Sequence, residues 1–329
     1  MRRGDAVSRR EGEQSRGRRA RKRGLLLQVV TAAIGVMALA FVLISALAAH
    51  RLSMPPRRPL AAGGSPGELG VEFEEIRFPA RGDRLEIAGW FIPSAGGGRA
   101  LVLVHGKDAD RTRELDRDPG DDVPGEFPNL AVALSRRGFS VLMIDLRGHG
   151  QSGRARFGFG RTERLDVLGA VDWLVARGFR PGRIGVLGIS MGAATGIGAA
   201  SEDDRIGALV ADSSFAELTS LVEMHWTSET HLPALFLPVT KMVGKHWFGC
   251  DIDAARPVDE IGAIRRPILL IHTDADPITP AQHARRLEQA AGGSAELWES
   301  RSNRHAGAYF VDPQVYIDKV AEFFDRHLN

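Results

Sequence analysis

A serine hydroxyl attacks carbonyl carbon only when it is thrust clear of the backbone and a base takes its proton. The run Gly188-Ile189-Ser190-Met191-Gly192 is built for the first requirement. It follows the apolar segment RIGVLGI (183–189) and opens the small-residue segment MGAATGIGAA, so it reads as a sharp strand-to-helix turn. Glycines two residues either side of Ser190 remove the Cβ atoms that such a turn would crowd. The helix that follows brings unpaired N–H groups and the positive end of its dipole to the place where negative charge would develop. Seven histidines follow this serine: His225, His231, His246, His272, His283, His305 and His327. His305 lies in SNRHAGAY, a polar stretch after the last strand pattern and before the final helix pattern, whereas His272 ends a strand and reads as structural. HTDADPITP (272–280) offers two carboxylates, Asp274 and Asp276, either of which could orient an imidazole.

The elements that must position these groups alternate in type. Strand patterns fall at 71–78, 84–92, 100–105, 140–145, 183–189, 208–212, 267–272 and 295–300. The central ones are continuous apolar runs, as expected of strands covered on both faces. Helix patterns fall between them at 127–137, 162–178, 191–201, 279–291 and 312–328. Alternation of this kind predicts an α/β fold, a doubly wound and mostly parallel eight-stranded sheet with right-handed crossovers. The first two strands have only Gly82-Asp83 at their join and so predict an antiparallel hairpin at one edge. Ligands of such sheets bind beyond the carboxyl ends of the strands, where Ser190 stands. Residues 213–266 are too long for a plain crossover, and with LPALFLPVTKMVGKHWF (232–248) and Trp226 they predict a small helical cap.

The serine turn, the His105-Gly106 pair after the third strand and DLRGHGQS (145–152) after the fourth together resemble the α/β-hydrolase superfamily. Within it the chain looks most like the single-domain serine esterases and the prolyl-oligopeptidase-like, Bem46-type hydrolases. The similarity covers residues 71–329, without the propeller of prolyl oligopeptidase itself. The resemblance implies a triad in the order serine, acid, histidine, which selects His305 as base. The family pattern HG-x-x-D-x-x-V/T-P matches Asp276 rather than Asp274, although Thr273 stands where glycine is common. It also implies an oxyanion hole from two backbone amides, that of Met191 and that of Lys107, the residue after His105-Gly106. The Lys107 side chain is expected to pair with Asp108. No metal and no organic cofactor is implied, and the acidic run 116–121 in the loop 107–126 lacks calcium-loop spacing and reads as solvated.

The amino-terminal end has a different composition. Ten of the first 24 residues are basic and three are acidic, and residues 25–49 carry no charge. As a helix that span would extend ~37 Å, enough to cross a hydrocarbon core of ~30 Å with tilt. The division expected is a basic cytoplasmic tail (1–24), a transmembrane signal-anchor helix (25–49), a flexible Pro- and Gly-rich linker (50–70) and the α/β-hydrolase domain (71–329). The excess of positive charge before the span places the domain on the extracytoplasmic side. A cleaved leader is the competing reading, since Ala46-Leu47-Ala48 has small residues at alternate positions. The whole chain has 329 residues and a formal charge of +2, and without its tail it is mildly acidic, which argues against a nucleic-acid partner. Its one cysteine, Cys250, can form neither an internal disulfide nor a cysteine-based zinc site.

The activity expected is hydrolysis of a small-molecule carboxylic ester through an acyl-enzyme on Ser190. A peptidase or amidase is the second reading, since it shares the triad but must also grip a peptide. The third is a surface binding module that kept the fold and lost the reaction.

Overall fold

The computed structural model describes residues 4–55, 57, 59–61, 64–94, 98–113, 126–156 and 158–329, with side chains from Arg18 onward except Ala20. The acidic run 116–121 lies outside the described residues. The elements run in the order α1 (Gly4–Ser53), β1 (Glu74–Pro79), β2 (Glu86–Ile92), β3 (Ala100–Val104), α2 (Glu126–Arg136), β4 (Ser140–Ile144), α3 (Arg164–Ala176), β5 (Ile184–Ile189), α4 (Met191–Glu202), β6 (Ile206–Asp212), α5 (Leu218–Thr230), α6 (Leu237–Phe248), α7 (Pro257–Glu260), β7 (Ile268–Thr273), α8 (Gln282–Ala290), β8 (Ala295–Ser300), α9 (Ala308–Val311) and α10 (Pro313–His327).

The eight strands form one sheet in the order β1-β2-β4-β3-β5-β6-β7-β8. β2 pairs antiparallel with both β1 and β4, and every other pairing is parallel. β3 to β7 are buried along their whole length, which is why their sequences are unbroken apolar runs rather than alternating ones. Alternate residues still divide the core in two. Val102, Val104 and Val186 pack with Val167 and Val171 of α3 and Ile197 of α4 on one face. Leu101, Leu103 and Leu187 pack with Phe127 and Leu130 of α2 and Phe323 and Phe324 of α10 on the other. β8 is only half buried and carries Glu296 and Glu299, a charged edge that discourages a further strand from joining.

Residues 213–266, where a cap was expected, hold α5, α6, α7 and three 3₁₀ turns (Ala234–Phe236, Ile252–Ala254 and Ile261–Ala263) between β6 and β7. The stretch 50–70, expected to be a flexible tether, differs. α1 continues to Ser53, so the helix outruns the uncharged span by four residues. Beyond it Arg57 donates from Nε to the Gly150 carbonyl (3.2 Å) and from a terminal nitrogen to that of Ser152 (3.0 Å), and the Ala61 amide donates to Thr112 Oγ1 (3.1 Å). Composition alone could not show this, because the partners lie 50 to 95 residues away in the chain.

The loop after β4 is fixed from inside. The Asp145 carboxylate is fully buried and accepts from the Arg111 amide (3.0 Å), the Arg111 guanidinium (2.9 Å) and the Gln151 amide (2.8 Å). The guanidinium lies over the Trp90 ring at 4.6 Å, a cation–π contact in a dry setting. Burial pushes the Asp145 carboxyl up and the Arg111 guanidinium down, while each is held ionised by the other. Removing one partner strands the other's charge. Arg111→Met is therefore expected to lower stability by about 3–5 kcal/mol, measured by urea denaturation, and a loss below roughly 1 kcal/mol would mean that this pair does not hold the loop.

Candidate active site

Ser190 stands between β5 and α4 with φ 57° and ψ −118°, a conformation that no ordinary element uses. Such backbone costs about 1–3 kcal/mol and persists only where the surroundings enforce it. Here they do. The Ser190 amide donates to the Asp212 carbonyl at the end of β6 (2.8 Å), and the Ser190 carbonyl accepts from the amides of Ala193 (3.0 Å) and Ala194 (3.2 Å). A Cβ on Gly188 would collide with the Gly192 carbonyl. A Cβ on Gly192 would collide with the carbonyls of Val104 and His105. Both collisions are with backbone, so neither position can give way, and the amino end of α4 lies directly against the end of β3.

That contact brings Met191 beside the loop that carries Lys107. The loop is held by two imidazoles. His105 Nδ1 donates to the Gly106 carbonyl (2.8 Å), and its Nε2 accepts the Leu146 amide (2.9 Å). His149 Nδ1 donates to the Arg147 carbonyl (3.0 Å), and its Nε2 accepts the Asp108 amide (3.3 Å). Both rings are neutral by this bonding, since each uses one nitrogen as acceptor. Burial pushes His149 down to about 4 and keeps it so. In a trans peptide the N–H points opposite to the C=O. With the Gly106 carbonyl turned to His105, the Lys107 amide points away from it. The Lys107 ammonium pairs with the Asp108 carboxylate, the side-chain pairing expected from sequence.

His305 lies in the loop between β8 and α9, buried. Its Nδ1 lies 2.7 Å from Asp276 Oδ2, and since the carboxylate can only accept, Nδ1 carries the proton. The other oxygen of Asp276 accepts the amides of Ile278 and Thr279, both at 2.8 Å. Asp274, the alternative acid, is exposed and instead caps the Ser302 amide (3.1 Å). His305 Nε2 is left as a lone pair, buried and without a hydrogen-bond partner among the described residues. Of the other histidines, His272 Nε2 donates to the Thr279 carbonyl (2.7 Å), His283 Nδ1 accepts the Ala216 amide (3.1 Å), and His225 Nε2 donates to the Ile278 carbonyl (2.9 Å).

Sequence reasoning missed the group behind this loop. The fully buried Asp212 accepts from Ser213 Oγ (2.9 Å) and from Tyr316 Oη (2.9 Å), and Ser213 Oγ accepts the Ala306 amide next to His305 (3.2 Å). Ser213 and Ala306 both have positive φ, at 55° and 53°. The signal available was Asp212-Ser213-Ser214 at a strand end, but its partner Tyr316 is 104 residues away. Thr273, where the resemblance expected glycine, donates to the Arg304 carbonyl (2.7 Å) and so has a job of its own beside the histidine.

The sequence pattern of the X-Pro dipeptidyl-peptidase (S15) family matches residues 82–312, well over half of the chain and every group above except Tyr316. The chain belongs to that family. This S15 chain is a serine hydrolase of the α/β-hydrolase type. It is 27% identical over 244 residues to an uncharacterized protein of Mycobacterium tuberculosis, covering 73% of this chain and 75% of that one. It shares its fold with the Pyrococcus furiosus esterase Pf2001 (TM-score 0.67, 24% identity, 84% of this chain and 100% of that one). A puromycin-hydrolyzing peptidase of Mycobacterium tuberculosis has the same fold over 79% of this S15 chain and 40% of its own length (TM-score 0.59, 20% identity).

Asp212 gives this site a pH signature in stability. Burial pushes its carboxyl up to about 7, against the pull of the Ser213 and Tyr316 hydroxyls. A carboxyl whose pKa is raised on folding favours the folded state when protonated, so its contribution is complete in acid and is lost as pH rises toward 7. Between pH 5 and pH 8 that loss is about 2–3 kcal/mol. Asp212→Asn, which stays neutral, is expected to remove this part of the pH dependence. Urea unfolding of both proteins at pH 5 and pH 8 measures it, and parallel curves would mean that Asp212 does not titrate on folding.

Proposed function

We propose that the chain is a membrane-anchored carboxylic ester hydrolase that works through an acyl-enzyme on Ser190. The observation that carries this reading is His305. Its Nδ1–H is committed to Asp276, and its Nε2 lone pair is buried with nothing to accept among the described residues. A buried imidazole nitrogen without a partner is costly unless a proton is delivered to it. Ser190 Oγ attacks the ester carbonyl and gives its proton to His305 Nε2. Asp276 holds the tautomer and stabilises the imidazolium that results. The amides of Met191 and Lys107 receive the tetrahedral oxyanion. Collapse breaks the C–O bond, and the departing alkoxide takes the proton back from His305. Water, deprotonated by the same nitrogen, then releases the acid and restores the Ser190 hydroxyl.

The anchor is α1. Within Arg21–Ser53 an 18-residue window has a mean hydropathy of 2.5 and is almost wholly exposed, as suits a helix surrounded by lipid. Retention rather than cleavage is supported by the far end of the helix, where Ser45, Ala49 and Ser53 are buried against the domain. The positive flank supports an extracytoplasmic side for the domain. Peptide hydrolysis is the second reading, favoured by membership of a dipeptidyl-peptidase family.

Turnover of p-nitrophenyl esters from acetate to palmitate by the full chain in detergent tests the proposal. Ser190→Ala is expected to abolish it. Asp276→Asn is expected to lower kcat about 10⁴-fold, while Asp274→Asn changes it by no more than about twofold. Turnover confined to aminoacyl-p-nitroanilides would install the peptidase reading. Absence of both turnover and fluorophosphonate labelling would leave a binding module.

A further inference from the structure

The cap and the anchor share an interface whose level can be read along α1. Ser45, Ala49 and Ser53 recur at four-residue spacing and so occupy one face of the helix. That face meets α6, where Thr240, Val243 and Gly244 are buried, and a Cβ on Gly244 would lie 3.9 Å from that of Ala49. Two ring pairs fix the direction. Phe41 lies on Phe236, with centroids 4.4 Å apart, and His50 lies on Phe248 at 5.6 Å. The two helices therefore run side by side in the same sense. Arg156 closes the domain end: it donates to Ser53 Oγ (2.7 Å) and His50 Nδ1 (3.0 Å) and covers the Phe248 ring at 4.2 Å.

The uncharged span of α1 ends at Ala49, so His50, Arg156 and Phe248 mark the polar boundary. Phe41 is nine residues back along α1, ~13 Å deeper. The cap descends to the same depth, because Phe236 touches Phe41. Around Phe236 the chain reads Leu232-Pro233-Ala234-Leu235-Phe236-Leu237-Pro238-Val239, eight residues without a charge, and Leu235 is 61% exposed. Before this run the nearest charge is the exposed Glu229, and after it charge returns toward the boundary, with Lys241 and Lys245 paired to Asp253 and Asp251. Trp247, 63% exposed, stands at that same end. Apolar tip, basic shoulder and exposed tryptophan in that order are the profile of a segment seated in a lipid leaflet.

We infer that the cap tip, residues 232–239, is inserted into the bilayer that α1 crosses, and that Ser190 takes its substrate, a long-chain acyl ester, from that bilayer. This rests on α1 as a span and Ser190 as the nucleophile. α5 joins tip to site. Its Trp226 donates to the Pro233 carbonyl (3.1 Å), and its neighbour His225 holds Ile278, two residues beyond Asp276. Exposed Met224 and Ile278 continue the apolar surface from the tip toward the acid loop. Water adds across the ester bond, its hydroxyl to the acyl carbon and its hydrogen to the departing alkoxide, so that a fatty acid and an alcohol result.

The test uses the full chain in phosphatidylcholine–phosphatidylglycerol vesicles, with a nitroxide on Leu235→Cys, on Leu39→Cys within the span, or on Asp204→Cys at the amino end of β6. Cys250 can remain, because it is buried and its thiol is pushed up to about 12 by that burial. Power saturation is expected to show the labels at 235 and 39 open to oxygen and closed to a nickel chelate, and the label at 204 the reverse. A label at 235 as open to nickel as the one at 204, with 39 still closed, overturns the inference. A label at 39 open to nickel instead brings down the span on which it rests. In the same vesicles Leu235→Asp is expected to cut the ratio of embedded dioleoyl-ester turnover to p-nitrophenyl acetate turnover by about tenfold, since a carboxylate resists entry into hydrocarbon. An unchanged ratio overturns entry from the bilayer, and a wild type inert toward both esters refutes the esterase reading while the labels still decide the insertion.

Discussion

The amino end of α4 can touch the backbone of Val104 and His105 only because residue 192 has no side chain, and the site is assembled around that contact. It sets Met191 beside the loop after β3. It forces the chain to reverse within one residue, which is where the unusual torsion angles of Ser190 come from. It also fixes the end of β5 relative to β3, and from there the parallel ladder carries the position outward. β6 delivers Asp212 to the Ser190 amide, and β7 ends at Thr273, three residues before Asp276. Strain at one serine is held by a sheet whose central strands are wholly buried and cannot shift.

The carboxylates divide into two kinds. Asp276 accepts two backbone amides and an imidazole N–H, a set of donors that suits an anion. Asp212, one strand over, accepts two hydroxyls in a dry place, and its carboxyl is pushed toward neutrality. The two are near enough for Asp276 to raise Asp212, so keeping the second one protonated spares the first a neighbouring charge. The same logic governs the loop after β4, where Asp145 is charged only because Arg111 is buried with it. Each buried acid has its state set by what donates to it rather than by its place in the sequence.

Local chemistry was legible from the residues. The serine turn announces itself because its requirements, small residues at fixed offsets between an apolar run and a helix, are all within five positions. The strand ends were legible because a doubly covered strand is an apolar run and the polar residue that stops it is where the site begins. The separation of Asp274 from Asp276 was legible only through family likeness, and the structure gives them different work by exposure and by what they bond. What stayed hidden is what depends on residues brought together from afar. Tyr316 under Asp212, His149 under Asp108 and Arg57 on Gly150 are pairings that no window of sequence contains. The segment 50–70 shows the limit most clearly, since proline and glycine report what a chain can do alone and not what a distant arginine will fasten it to.

α1 runs without a break into contact with the cap and is tied again at Ser53 and Arg57, leaving no slack between helix and catalytic body. A tethered enzyme explores a hemisphere whose radius is its leash. This one has no leash. Under the anchoring proposed above, Ser190 would keep one height and one tilt over the bilayer, and its search would be sideways, in two dimensions with the helix that carries it.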